Sequence, residues 1–200
     1  MTRGSVADEQ YGQLWRRLSE VARRVDEGTL SFDATMDVLQ AVIEGKLALT
    51  AVAGSPAVVY PITIDYGLSL VEMIKVGHYD WVNNSITAEN FSIAGAGEGT
   101  VDLEVQLVHF KRYIESDEAI KKMDGMGLRS LTLPELLAFG AKFPEVQREF
   151  PIIALGTVWQ RHDGTRGVPA LWGDDRRRYL YLGWFDRRWD DGFRFAAVRK

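Results

Sequence analysis

Apolar positions change period along this chain, and the changes mark out its parts. From residue 8 to 45 they recur every three to four residues, as one face of a helix does. Tyr11, Leu14, Trp15, Leu18, Val21, Ala22 and Val25 share one side, and Arg16, Arg17, Glu20, Arg23 and Arg24 fall on the other. Gly28 is placed to end this helix, because glycine enters the left-handed terminal conformation without steric cost. Ser31 can cap a second helix over "FDATMDVLQAVIEGK", with Asp33 in its first turn, where a carboxylate suits the helix dipole. Met36, Leu39, Val42 and Ile43 form its apolar side, and Gly45 and Lys46 close it. Two short helices across a tight turn predict an αα-hairpin. Its arginine pairs suggest DNA, but the second helix carries Asp33, Asp37 and Glu44 instead of donors for base edges. A cap on the main domain or an oligomerisation element fits it better. The low-charge "LALTAVAGSPAVV" breaks at Gly-Ser-Pro. That predicts a hairpin and connector over 1–54 and a second domain over 55–200.

From Val58 the texture is β-like. "VVYPITI" reads as a strand, with Pro61 favouring an edge. Ser69 with Glu72 forms a capping box for a short helix ending at Gly77. Residues 78–93 read as a long ordered turn anchored by Tyr79, Trp81 and Phe91, followed by a Gly-rich turn without P-loop spacing. Val101, Leu103, Val105 and Leu107 alternate with Asp102, Glu104 and Gln106, a strand with one buried face; the alternation slips at Val108 to Phe110. Ser116 is the expected cap of a helix over "DEAIKKMDG", and Thr132 with Glu135 forms a second capping box. Pro134 is harmless in that first turn, and Pro144 interrupts the helix. "PIIALGTVW" predicts one central strand, and short strands at "VPALW", "RYLYLGWF" and "FRFAAVRK" predict an antiparallel meander. Helices that precede the sheet instead of alternating with its strands give the class α+β, with a mixed or antiparallel sheet.

Composition adds limits. Hydrophobic residues are 46% and charged residues 26%, which is ordinary globular usage. There is no cysteine, so disulfides and thiolate metal sites are excluded, and a reducing, cytoplasmic location is expected. "MTRGSVADEQ" lacks an apolar core, so no classical secretory signal is expected, and no apolar run reaches the ~18 residues of a membrane span. The formal net charge of −4 argues against a dedicated nucleic-acid binder.

The run "GLRSLTLPELL", then a strand ending "GTVW" and a terminal "FRFAAVR", resembles bacterial domains with a C-type-lectin-like fold. The resemblance spans about 127–200. It rests on Arg129, Thr132, Glu135, Leu136, Leu137, Trp159, Arg194 and Val198. It implies a lectin-like fold that presents ligands to loops near its terminal strands. The family's Arg-Leu-Pro-Thr run is broken here into "RSLTLP". No Glu-Pro-Asn or Gln-Pro-Asp triplet is present, so calcium-dependent sugar binding does not carry over. The chain is also similar to bacterial proteins that end in "WF…W…RFAAVRK".

Candidate chemistry is sparse. His78, His109 and His162 show no metal-ligand spacing, so no metal and no cofactor is expected. His78, Asp80 and His109 are the candidates for a small hydrolase-like site; a satisfied turn and a strand histidine bonded to backbone are the alternatives. The C-terminal aromatic residues point instead to binding. Trp172, Tyr181, Trp184 and Trp189, with Arg176, Arg178, Arg187 and Arg188, are the residue types enriched in binding hot spots. The expected function is a non-catalytic binding or structural module, for a protein or a second copy of itself. Single-stranded nucleic acid is a further alternative. Trp189, in "RRWDD", is either part of that surface or a plug folded over the sheet.

Overall fold

The computed structural model describes residues 8–43, 58–93 and 97–200. The chain divides into two compact units, Met1–Ser55 and Pro56–Lys200. The expected break at Gly54 to Pro56, the closing Gly45 and Lys46 and the start of the Gly-rich turn lie outside the described residues.

The first unit contains α1 (Asp8–Asp26) and α2 (Phe32–Ile43). Gly28 adopts φ +71° and donates to the Val25 carbonyl at 3.0 Å, which ends α1 as its glycine predicts. Val21, Val25 and Leu39 are half-buried, whereas Trp15, Phe32 and Ile43 stay in water.

The second unit is α+β. In chain order it holds β1 (Val59–Asp65), α3 (Leu70–Val76), β2 (Trp81–Val82), β3 (Thr100–Val108), β4 (Ile114–Glu115), α4 (Ser116–Gly125), β5 (Leu128–Ser130), α5 (Leu133–Lys142) and α6 (Val146–Glu149). Then come β6 (Ile152–Ile153), β7 (Trp159–Gln160), β8 (Arg166–Gly173), β9 (Arg178–Trp184), β10 (Arg188–Trp189) and β11 (Arg194–Arg199). Among the described residues nine strands form one mixed sheet in the order β1-β3-β11-β6-β8-β9-β2, with β5 beside β11 and β7 beside β8. Pro61 lies on the edge strand β1, where its missing N–H breaks no ladder.

Both faces of the central strands are buried. Ile152, Leu171, Ala196 and Val198 enter one core with Leu133, Leu136, Leu137 and Phe139 of α5. Their strand neighbours Ile153, Ala170, Phe195 and Ala197 enter a second core with Ala119 and Met123 of α4, Ile114, Phe185 and Trp189. Strict alternation between two cores explains why "FRFAAVR" carries no polar stripe.

The chain path departs from the expected meander. β8 and β9 are antiparallel neighbours, but β11 inserts between β3 and β6 and runs parallel to β6. The run 151–159 is two strands instead of one. Gly156 donates to the Leu131 carbonyl at 2.9 Å, and a Cβ there would sit 2.5 Å from that oxygen, so the chain leaves the sheet at this glycine. Ser116 does not cap α4. It is the first helical residue, and its hydroxyl donates to the Phe185 carbonyl at 2.6 Å while accepting from Trp189 Nε1 at 2.8 Å.

The box at the start of α5 is lopsided. The Glu135 carboxylate accepts from the Thr132 N–H at 2.7 Å, but the Thr132 hydroxyl approaches the N3 amide too loosely for a hydrogen bond and is buried without a partner. Glu135, 2% exposed, is held mainly by Arg129 through two bonds of 2.7 and 2.9 Å. Burial alone would raise its pKa, but the Arg129 guanidinium and the Thr132 N–H outweigh burial and hold the carboxyl below its usual range.

Candidate functional site

The layer containing α4, β4 and β10 covers only part of its sheet face. Tyr181 and Phe193 are the partly buried edge of that second core, and beyond them Trp172 on β8 and Trp81 on β2 stand exposed. Register decides what stands there. Trp172 pairs with Tyr179 and Ala170 with Tyr181 across β8 and β9, and Trp81 pairs with Tyr179 across β9 and β2. Alternation sends Leu171 and Leu180 to the α5 side and leaves Trp172 and Tyr179 on the open one. The Trp172 and Tyr179 rings stack at 4.9 Å and 25°, and Trp81 lies 6.5 Å from Tyr179 at 57°. Trp172 is 42% exposed and Trp81 48%. With Asn83, Pro151, Leu182 and Phe193 these aromatics line a cleft of about 580 Å³, and no charged residue is among its lining.

The floor of this end is held by Arg178. Its guanidinium is buried and donates to the Gly77 carbonyl at 2.7 Å, the Gly140 carbonyl at 2.5 Å and Gln147 Oε1 at 3.0 Å. It lies 5.0 Å over the Tyr79 ring, whose buried phenol is pushed well above its usual pKa. Gln147 Nε2 donates to the Trp172 carbonyl at 2.6 Å, so one network ties α5, α6 and the turn at Gly77 to the strands under the cleft. Asp80 closes that turn: its carboxylate accepts from the Arg178 N–H at 2.7 Å, and its own N–H donates to the Arg178 carbonyl at 2.9 Å.

The residues expected to form one binding surface are therefore split. Trp172 and Tyr181 line the cleft. Arg178 is a buried clamp: its two terminal nitrogens reach three acceptors within the fold, while its Nε is buried without a partner. Trp189 is 1% exposed, packed edge-on to Phe193 and Phe195 and bonded to Ser116; it is the plug. Trp184, 45% exposed, stands on the side of Leu180 and Trp159, with Arg161 over both its ring and that of Trp159. Arg176 is exposed in the β8–β9 turn, and its N–H and that of Arg177 bond Asp174 at 2.8 Å. Arg187 and Arg188 are exposed at the β10 turn, with Arg188 over Tyr113.

The histidine candidates are not assembled. His78 is exposed at φ +48°, in the tight turn after α3. His109 Nε2 bonds the Asp191 carbonyl at 2.7 Å, and Asp80 is engaged with the Arg178 backbone. No hydrogen bond joins the three, and none lines the cleft. Among the described residues no three His, Cys, Asp or Glu side chains are grouped to hold a metal, and no helix is long and apolar enough to cross a membrane.

Trp81, Tyr179, Asn83 and Phe193 were missing from the expected site. Trp81 reads in the sequence as an anchor beside Phe91, yet only Phe91 is buried. The parallel pairing of β2 with β9 brings it to the cleft, and two residues of strand leave no periodic signal. No family model matches this chain, and neither a curated protein nor a solved structure matches it.

Proposed function

We propose that residues 56–200 form a non-catalytic binding module for a protein partner in the cytoplasm, with Trp81, Tyr179 and Trp172 as its contact ledge. One observation carries this reading: three neighbouring aromatic rings stand on an open sheet face whose remaining length is buried. Exposed, contiguous apolar area of this kind marks interaction sites, and Trp and Tyr dominate binding energetics. The uncharged lining and the formal net charge of −4 favour a neutral segment over a nucleic-acid strand.

The test follows the indole N–H resonances while candidate ligands are added. Those of Trp81 and Trp172 should shift together, with Trp184 as an internal control on the other face. A second copy on the ledge would make the same two signals depend on protein concentration. Ligands that move only Trp184, or binding that survives Trp81→Ala and Trp172→Ala in a folded protein, would overturn the reading.

A further inference from the structure

We infer that the ledge takes a proline-rich segment in the polyproline II conformation; this rests on the reading that the ledge is the binding site. The first argument is the polar inventory of the cleft. Trp81 and Trp172 each carry an Nε1–H with no hydrogen-bond partner among the described residues, and an indole nitrogen donates only. Asn83 uses its Oδ1 to accept from the Ser85 N–H at 3.0 Å, which leaves its amide N–H groups free. Tyr179 and Tyr181 add hydroxyls that donate as well as accept, that of Tyr179 donating to Asp174 at 3.5 Å, so the lining carries more donors than acceptors on an apolar surface. Its matching ligand is rich in acceptors and poor in donors. Proline has a carbonyl and no N–H, and polyproline II leaves its carbonyls without internal bonds.

Other ligand classes match less well. A β-strand peptide would bring as many N–H groups as carbonyls to a lining whose only side-chain acceptors are two phenol oxygens and the Asn83 Oδ1 already engaged by Ser85. Each sugar hydroxyl is donor and acceptor together. A phosphate chain would find no cation in the lining and the Asp174 carboxylate 3.5 Å from the Tyr179 hydroxyl.

The second argument is spacing. The rings run from Trp81 through Tyr179 to Trp172 in steps of 6.5 and 4.9 Å. A polyproline II helix rises about 9 Å per three-residue turn, so prolines one turn apart fall within the span that these two steps allow. The 57° opening between Trp81 and Tyr179 is a notch for one pyrrolidine ring, and the outer face of Trp172 a wall for the next. A preformed helix also loses little entropy on docking, which suits a cleft with only a few polar contacts.

The test titrates blocked decaproline against the folded chain, read by the Trp81 and Trp172 indole resonances. A Gly-Ser decapeptide, cellohexaose and a ten-nucleotide oligothymidylate are run beside it. Saturable shifts with decaproline alone are expected, weakened at least tenfold in Trp172→Ala and in Trp81→Ala and unchanged in Trp184→Ala. Trp172→Phe keeps a ring against Tyr179 but removes the donor, and should weaken binding severalfold. Equal binding by Trp172→Phe would overturn the donor argument, and failure of decaproline to bind would overturn the inference. If the sugar or the oligonucleotide shifts the two indoles instead, the ledge remains a binding site and only its ligand class falls. If no probe in a wider panel shifts them, the binding reading falls as well.

Discussion

Trp189 packs against the same sheet face from which Trp172 projects, yet one is sealed and the other half open. Trp189 closes the covered end. Its ring meets Phe193 and Phe195, its Nε1 meets Ser116, and Gly183 leaves room for it, since a Cβ there would lie 2.5 Å from the indole. Trp172 stands at the uncovered end, stacked on Tyr179, with a free N–H. The difference is made by the covering layer, not by the residue type. A tryptophan with a satisfied N–H and neighbours all round is structure; one with a free donor and an open face is available for contact.

The largest test of that contrast is Trp189→Ala. It should cost about 3–5 kcal/mol, as truncation of a buried tryptophan does, read as a fall in the denaturant midpoint without a change in slope. A loss under about 1 kcal/mol would mean that the plug is not closed in solution. Next comes the clamp beneath the open end. Arg178→Met keeps the length of the side chain but leaves the Gly77 and Gly140 carbonyls and Gln147 without their donors. Each dry acceptor is worth about 1–3 kcal/mol, with a sum smaller than three separate losses because the groups share one network. The variant should also broaden the Trp81 signal, since Gly77 lies in the turn that leads to β2.

The two buried charges then separate by pH. Arg178 stays protonated across the acid range, whereas the carboxyl of Glu135 has its pKa lowered by Arg129. A depressed folded pKa means that the stabilisation is present above the unfolded value of about 4.3 and is lost as pH falls through the folded one. The stability difference between the wild type and Glu135→Gln should therefore shrink below about pH 4, while that for Arg178→Met holds. Chemical denaturation at several pH values would show it, and parallel curves for the two variants would break the distinction.

What could be read in the sequence follows from how local its cause is. The α5 helix was legible from Leu133, Leu136, Leu137 and Phe139, and β3 from its alternation, because each needs only neighbours in the chain. The insertion of β11 was not, since its pairings with β3, β5 and β6 join residues tens of positions apart. Ser116 misled for a related reason: its hydroxyl serves Phe185 and Trp189 in place of its own helix. A signal for the plug did exist, in the glycine of "LYLGWF", because glycine inside a strand marks close approach by another group. No such marker distinguished Trp81, whose exposure depends on where the covering layer stops.

The smallest stability effect belongs to the open end, and it sharpens the comparison most. Trp172→Ala removes one ring from a stacked pair, a term of about 0.5–1.5 kcal/mol, and some half-buried area. The Trp172 carbonyl still accepts from Gln147, so the strand and its register should be unaffected. The same chemical change, tryptophan to alanine, is thus expected to weaken the fold several times less here than at position 189. Its effect on binding should run the other way. Trp172→Ala should weaken binding read at the Trp81 indole at least tenfold while leaving the melting transition nearly in place, whereas mild destabilisation of the plug should leave ligand affinity intact wherever the protein is folded. Measured together on the two variants, stability and affinity should therefore fall in opposite order. If both fall in parallel, the ledge is a part of the core that happens to face water, and the distinction between the two ends disappears.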